Sequence, residues 1–183
     1  MKRFEPADRD ENDHSPRIPR LISASADATI RVWSKAPTPP QPNKPSYFNS
    51  GIPSTMRPPP VEETWECTAT LPKVHDLPIY SVSWSQKTGR VVSTGGDSKI
   101  VIYEERTKGR TAVGGKVETE WVVLGVMDAG HGPWEINHVV WCKRYDGGRT
   151  SDDEEMIIST GDDGFVRAWA VEDIVAAEAP PLS

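Results

Sequence analysis

The chain has 183 residues, enough for one domain of ordinary size, with 36% hydrophobic and 26% charged residues, 17 Pro and 14 Gly. A net charge of −6 and a pI near 5.3 argue against a general nucleic-acid or anionic-membrane surface, and no apolar run approaches the ~20 residues of a membrane span. The start, MKRFEPADRDENDH, lacks the apolar core of a secretory signal, so Cys67 and Cys142 are expected as free thiols of a cytosolic or nuclear protein.

After a polar segment over residues 1–20, the first patterned stretch is SASADATIRVW, Ser23 to Trp33. It returns as STGGDSKIVIY, Ser93 to Tyr103, and as STGDDGFVRAW, Ser159 to Trp169. Each copy has Ser first, Asp fifth, apolar residues near positions eight and ten, and an aromatic last. Such self-similarity marks a repeat architecture. Between the first two copies, residues 36–60 hold nine Pro and no periodicity, and they read as a polyproline-like or structureless insertion. The closing aromatics are 70 and 66 residues apart. Without that insertion, and without the polar stretches 107–119 and 145–155, the intervals become 45 and 42 residues, the period of a four-stranded propeller blade.

Strand signals fill those intervals. TWECTATL (64–71) reads as an outer strand and IYSVSW (79–84) as an inner one. GRVVST enters the second copy and KIVIY leaves it across an Asp-Ser turn; EWVVLGVM (120–127) is the next outer strand. INHVVW (136–141) is again inner, EMIIST enters the third copy, and FVRAW leaves it across an Asp-Gly turn. Helical periodicity is confined to the short VEDIVAAEA (171–179), and no outer strand follows Trp169. The expected fold is all-β, a partial propeller of about two and a half blades where a ring commonly has about seven. Its parts are 1–20, a polar segment or loop of a truncated blade; 21–71, an incomplete blade carrying the insertion 36–60; 72–127, a blade; 128–170, a blade lacking its outer strand; and 171–183, a tail. With RFEP (3–6) as the end of an inner strand, the chain would begin inside a blade, and both ends would leave strand edges open.

The recurring polar residues suit a buried network. His75 precedes Ser93 and Asp97, and His131 precedes Ser159 and Asp163. With the Asp on the turn between the second and third strands, its carboxylate can accept from the His ring and from turn N–H groups. The His can bond the Ser, and the Ser can accept from the closing Trp, so that each buried polar group is paired. These residues, Gly130-His131, Ser159, Asp163 and Trp169, resemble the WD40 repeat. In the second unit Val74 stands before His75 and Tyr103 replaces Trp, which leaves open whether its network is complete. The first has Ser23, Asp27 and Trp33, and its one candidate, His14, lies only 13 residues before Asp27 against 22 for His75 and Asp97.

Over residues 21–33 and 64–170 the chain also resembles the WD40 scaffold of the cytosolic iron–sulfur protein assembly machinery. The likeness rests on His75 with Ile79-Tyr80, on Gly96-Asp97, on Tyr103-Glu104-Glu105 and on EINHVVW followed by STGDDG, with a long insertion after IRVW. It implies a non-enzymatic scaffold with no cofactor of its own. The partners implied are the other subunits of the iron–sulfur targeting complex and iron–sulfur apoproteins, in the cytoplasm with the nucleus as a further compartment; neither nucleic acid nor membrane is expected. Two alternatives stand beside it: a WD40 adaptor of another pathway, such as ubiquitin ligation or RNA processing, and a truncated product with no function.

Other signals weigh less. A Ser-His-Asp trio invites a hydrolase reading, but no Gly-x-Ser-x-Gly elbow is present and the trio recurs as a spacing. Two cysteines without a Cys-x-x-Cys pair do not make a metal or cluster site and are read as small buried or half-buried thiols. TAVGGK (111–116) lacks the full phosphate-loop spacing, and SDDEE (151–155), with Ser151 a conceivable phosphate acceptor, reads as a solvated acidic loop. Trp84 and Trp141 close inner strands. Trp134, in the inter-blade GHGPWEIN loop, is the exception, because large aromatics anchor interfaces. With Glu135, Asn137, Pro78, Tyr80, Asp162 and Gly96 it makes the candidate partner-binding face.

Overall fold

A computed structural model describes residues 19–35, 64–110 and 117–176. RFEP, His14, the Pro-rich insertion, TAVGGK and residues 177–183 lie outside the described residues. Three antiparallel sheets follow one another along the chain. The first holds β1 (Arg20–Ala24), β2 (Ile30–Lys35) and β3 (Trp65–Thr70) in that order. The second holds β4 (Ile79–Trp84), β5 (Val91–Gly95), β6 (Ile100–Arg110) and β7 (Val117–Met127). After the short β8 (Gly130–Pro133), the third holds β9 (Ile136–Lys143), β10 (Glu155–Gly161) and β11 (Val166–Trp169). A helix, α1 (Val171–Ala176), ends the described chain.

Side chains on successive strand residues point to opposite faces, and the second sheet buries both. Val91, Val101 and Tyr103 face Ile30 and Val32 of the first sheet and Leu71 just beyond it, with Trp84 and Trp121 closing that layer. Val92, Ile100 and Ile102 face Ile136, Val139, Trp141 and Ile157 of the third. This double burial explains why IVIY reads as an unbroken apolar run and not as an alternating one.

The three hairpin turns share one shape. Ala28, Ser98 and Gly164 follow Asp27, Asp97 and Asp163 and have φ of 61°, 61° and 76°. Their N–H groups donate to the carbonyls of Ser25, Gly95 and Gly161 at 3.2, 3.4 and 3.1 Å. The carboxylate of each Asp accepts from the backbone N–H two residues on, from Thr29, Lys99 and Phe165 at 2.9, 3.3 and 3.0 Å. A short side chain that bonds its own turn is why Asp stands there in every copy.

Three expectations need correction. The stretch 107–119 is not all insertion: β6 and β7 extend across its flanks as a ribbon, pairing Arg106 with Glu120 and Thr107 with Thr119. The segment after Trp169 is not a mere tail, because α1 buries Ile174 in the second core layer. Cys67 is exposed, because β3 edges the first sheet with one face in solvent, whereas Cys142 is half-buried.

Candidate functional site

The spaced Ser, His and Asp residues meet. His131, on β8, places Nδ1 2.8 Å from Asp163 and Nε2 2.8 Å from the Ser159 hydroxyl, which accepts from the Trp169 indole at 2.8 Å. A carboxylate calls for a proton on Nδ1, so a neutral ring accepts at Nε2 from Ser159, and every polar hydrogen of the chain is used. In the second unit, His75 lies 2.9 Å from Asp97 and 2.7 Å from Ser93. Tyr103 stands in the place of the indole, with its ring buried. In the first unit Trp33 donates to Ser23 at 2.9 Å, while Asp27 is exposed and, among the described residues, holds only its turn and Arg31.

Charge state follows from these contacts. Burial pushes the Asp97 carboxyl up, but the His75 hydrogen bond and charge, with the N–H groups of Asp76 and Lys99, outweigh it and hold it below the ordinary range. Burial opposes ionisation of Asp163 likewise, and Arg167, His131 and the Phe165 N–H together carry it well below. Burial pushes the Tyr103 hydroxyl up to about 12, against the pull of Ser93.

Two residues not singled out in the sequence make the networks possible. A Cβ on Gly161 would stand 2.7 Å from the Glu135 carbonyl and 2.8 Å from the His131 ring. At Gly95 it would stand 2.2 Å from the Pro78 carbonyl. Each lies two residues after a network Ser; the first copy has Ser25 at that place, and Asp27 there meets no imidazole among the described residues. The contrast was present in the sequence as STGGD and STGDD against SASAD.

The seven residues of the candidate face form one continuous surface. The Tyr80 hydroxyl donates to Glu135 at 2.8 Å, and the Gly96 N–H donates to Pro78 at 3.0 Å. Gly96 packs under Tyr80, since an added Cβ would lie 3.1 Å from the Tyr80 oxygen. Asn137 donates to Asp162 at 2.5 Å, and the Asp162 N–H donates to the Glu135 carbonyl at 3.0 Å. Trp134 is 53% exposed, held by its carbonyl, which takes the Ser98 hydroxyl at 2.6 Å. Leu77, 48% exposed beside Gly96, extends the surface and was missed because a lone Leu in a loop carries no pattern.

A second set of contacts stitches the second and third sheets at the inner strands. Ser81 and Ser83 on β4 accept from the Val139 and Trp141 N–H groups of β9 at 3.1 and 3.0 Å. The buried Ser85 hydroxyl donates to Glu155 at 2.5 Å, and the same carboxylate oxygen takes the Trp141 indole at 3.1 Å. Among the described residues no group of three or more His, Cys, Asp or Glu is arranged to hold a metal ion.

The family model described as WD domain, G-beta repeat matches residues 12–34 and 65–104. The matched stretches carry WD40 repeats. The match takes in β1, β3, β4, β5 and parts of β2 and β6; among the described residues the second sheet has four strands and the first and third have three. Relatives named "probable cytosolic iron-sulfur protein assembly protein 1" share this stretch. One from Botryotinia fuckeliana is 68% identical over 165 residues, 90% of this chain and 38% of its own length. One from Sclerotinia sclerotiorum is 66% identical over 167 residues, covering 91% and 37%. One from Penicillium rubens is 45% identical over 168 residues, covering 84% and 37%. The chain thus spans well under half the length of the curated relatives it matches.

Proposed function

We propose that these WD40 blades serve as a non-enzymatic scaffold in cytosolic iron–sulfur protein assembly, presenting a docking surface to other subunits of the targeting complex and to iron–sulfur apoproteins. The observation that carries this is the 68% identity over 90% of the chain to a protein bearing that name. The blade units are 21–71, 72–127 and 128–170, with work in the cytoplasm and the nucleus as a further compartment.

Catalysis is disfavoured by the serines themselves. Ser93 and Ser159 are each 0% exposed, with the Ser93 oxygen bonded to His75 and packed near the buried Tyr103, and the Ser159 oxygen taken by the Trp169 indole. A nucleophile needs a reacting carbon within about 3–3.5 Å, and here that place is filled by an aromatic ring. The networks are better read as staples that fix the blade turns, which frees the face around Trp134 for binding.

The test is affinity capture of the tagged chain from its own cells, read by mass spectrometry. Co-recovery of targeting-complex subunits and iron–sulfur apoproteins is the expected result. Recovery of only chaperones and proteasome subunits, or of a ubiquitin-ligase or RNA-processing complex, overturns the assignment.

A further inference from the structure

We infer that the face around Trp134 docks a basic segment of a partner protein, with an Arg or Lys side chain set among the Tyr80 and Trp134 rings and the carboxylates of Glu135 and Asp162. The inference rests on the reading of that face as a docking surface and names the partner's chemistry.

Three observations carry it. Leu77, Tyr80 and Trp134 are each about half exposed, three of the six large hydrophobic side chains that stand out from the described surface, and all three lie in this region. Glu135 follows Trp134 in the chain and takes the Tyr80 hydroxyl, and the Asp162 N–H is bonded to the Glu135 carbonyl, so rings and carboxylates share one surface. Neither Glu135 nor Asp162 has a cationic partner among the described residues. The cations of the adjacent turns are committed elsewhere, Lys99 to Asp76 at 2.6 Å and Arg167 to Asp163 at 2.8 Å.

The physics then selects the occupant. An apolar partner would strip water from two carboxylates that have neutral hydrogen-bond partners but no cation among the described residues, and an acidic one would add repulsion. A guanidinium or ammonium answers both carboxylates and gains from the aromatic faces within reach. An Arg would also match a carboxylate with two parallel N–H groups. The chain's own net charge of −6 steers such a partner in.

The test is selection of a phage-displayed random peptide library on the full chain. The expected result is enrichment of peptides that share an Arg or Lys, whose affinity falls about tenfold or more on the double variant Glu135→Gln, Asp162→Asn and on Trp134→Ala. Enriched peptides that are acidic or uncharged, held equally by the double variant but lost on Trp134→Ala, overturn the basic partner and leave the docking face standing. Peptides indifferent to Trp134→Ala, or no enrichment at all, overturn the docking face itself and the inference with it. Ionic strength checks the charge dependence without substitutions: salt raised from about 0.1 to about 1 M cuts screening lengths from ~10 to ~3 Å and weakens only charge-dependent peptides. Unchanged affinity across that range also overturns the inference.

Discussion

Ser159 stands between an indole N–H that gives and an imidazole nitrogen that takes, with both partners held inside the blade. Removing either neighbour therefore leaves a polar atom where water does not reach, and that orphaning costs more than the lost bond itself. His131→Ala is expected to lower the unfolding free energy by about 1–3 kcal/mol, measured by urea denaturation. A denaturation midpoint equal to that of the parent chain would strip the network of its structural role. Acid supplies a second test at the same residues. Asp97 and Asp163 titrate below the ordinary value of 3.8 when folded, so the unfolded chain takes up their protons first as pH falls. Their contribution is fully present above that ordinary value and is lost as pH drops through the lowered folded values. The share of stability that these two carboxylates supply should be lost below about pH 4, and Asp163→Asn should flatten that acid limb. An acid limb of unchanged steepness in the variant would assign the loss to other carboxylates.

Among the elements, α1 is the one whose placement depends on a missing side chain. Val175 Cα and the Ile174 carbonyl come within 2.8 and 2.9 Å of where a Cβ on Gly125 would sit, so β7 lets the helix backbone lie directly on it. A six-residue helix has no stability of its own in water. What holds it is burial of Ile174 in the second core layer, where α1 lies against β7, β6 and β10, with Val171 and Val175 at the margin. Ile174→Ala is expected to destabilise by about 2–4 kcal/mol, as a large-to-small change in a closed core does, and Gly125→Val should release the helix by a different route. Hydrogen exchange at the α1 amides reads both: faster exchange confined to α1 and its neighbours is the expected outcome, and unaltered α1 exchange in Gly125→Val would mean that the contact does not hold the helix.

Among the described residues, the second sheet is the structural centre because it alone has a packed layer on each face. The outer strands carry the contrast: β3 shows four of six residues exposed, and Val166, Arg167 and Ala168 of β11 are all exposed. Exchange protection follows burial and hydrogen bonding. The amides of β5 and β6 up to Tyr103 should therefore exchange only through global unfolding, while those of β11 exchange through local opening, orders of magnitude sooner. Equal protection of β11 and β5 would indicate that the third sheet is covered by something beyond the described residues. Between sheets, Arg20 forks onto Glu105 at 2.7 and 3.2 Å and lies over the Trp121 ring at 5.9 Å, and Ser85 and Glu155 do the same work on the other side. Neighbouring blades are thus joined by charge-assisted bonds as well as by apolar layers.

The repeat itself was legible in the sequence: Ser, Asp and an aromatic at fixed offsets, with β-branched runs between, set the strand order, the all-β class and the Asp turns, because these depend on local geometry with a period of two. That the candidate residues around Trp134 lie side by side was legible for a related reason, since residues on equivalent turns of successive units must end on one side. Other features needed the tertiary structure. Tyr103 takes the place of the indole as a fully buried ring between two sheets, which no spacing states. The ribbon formed by β6 and β7 was hidden because its residues are polar and its pairing is supplied by the partner strand rather than by a core. Helix α1 exists through contacts with strands up to some seventy residues earlier in the chain, and Cys67 is exposed because only one face of β3 is covered. Local patterns name the strands and turns; burial, which is a property of neighbours distant in sequence, decides what those residues become.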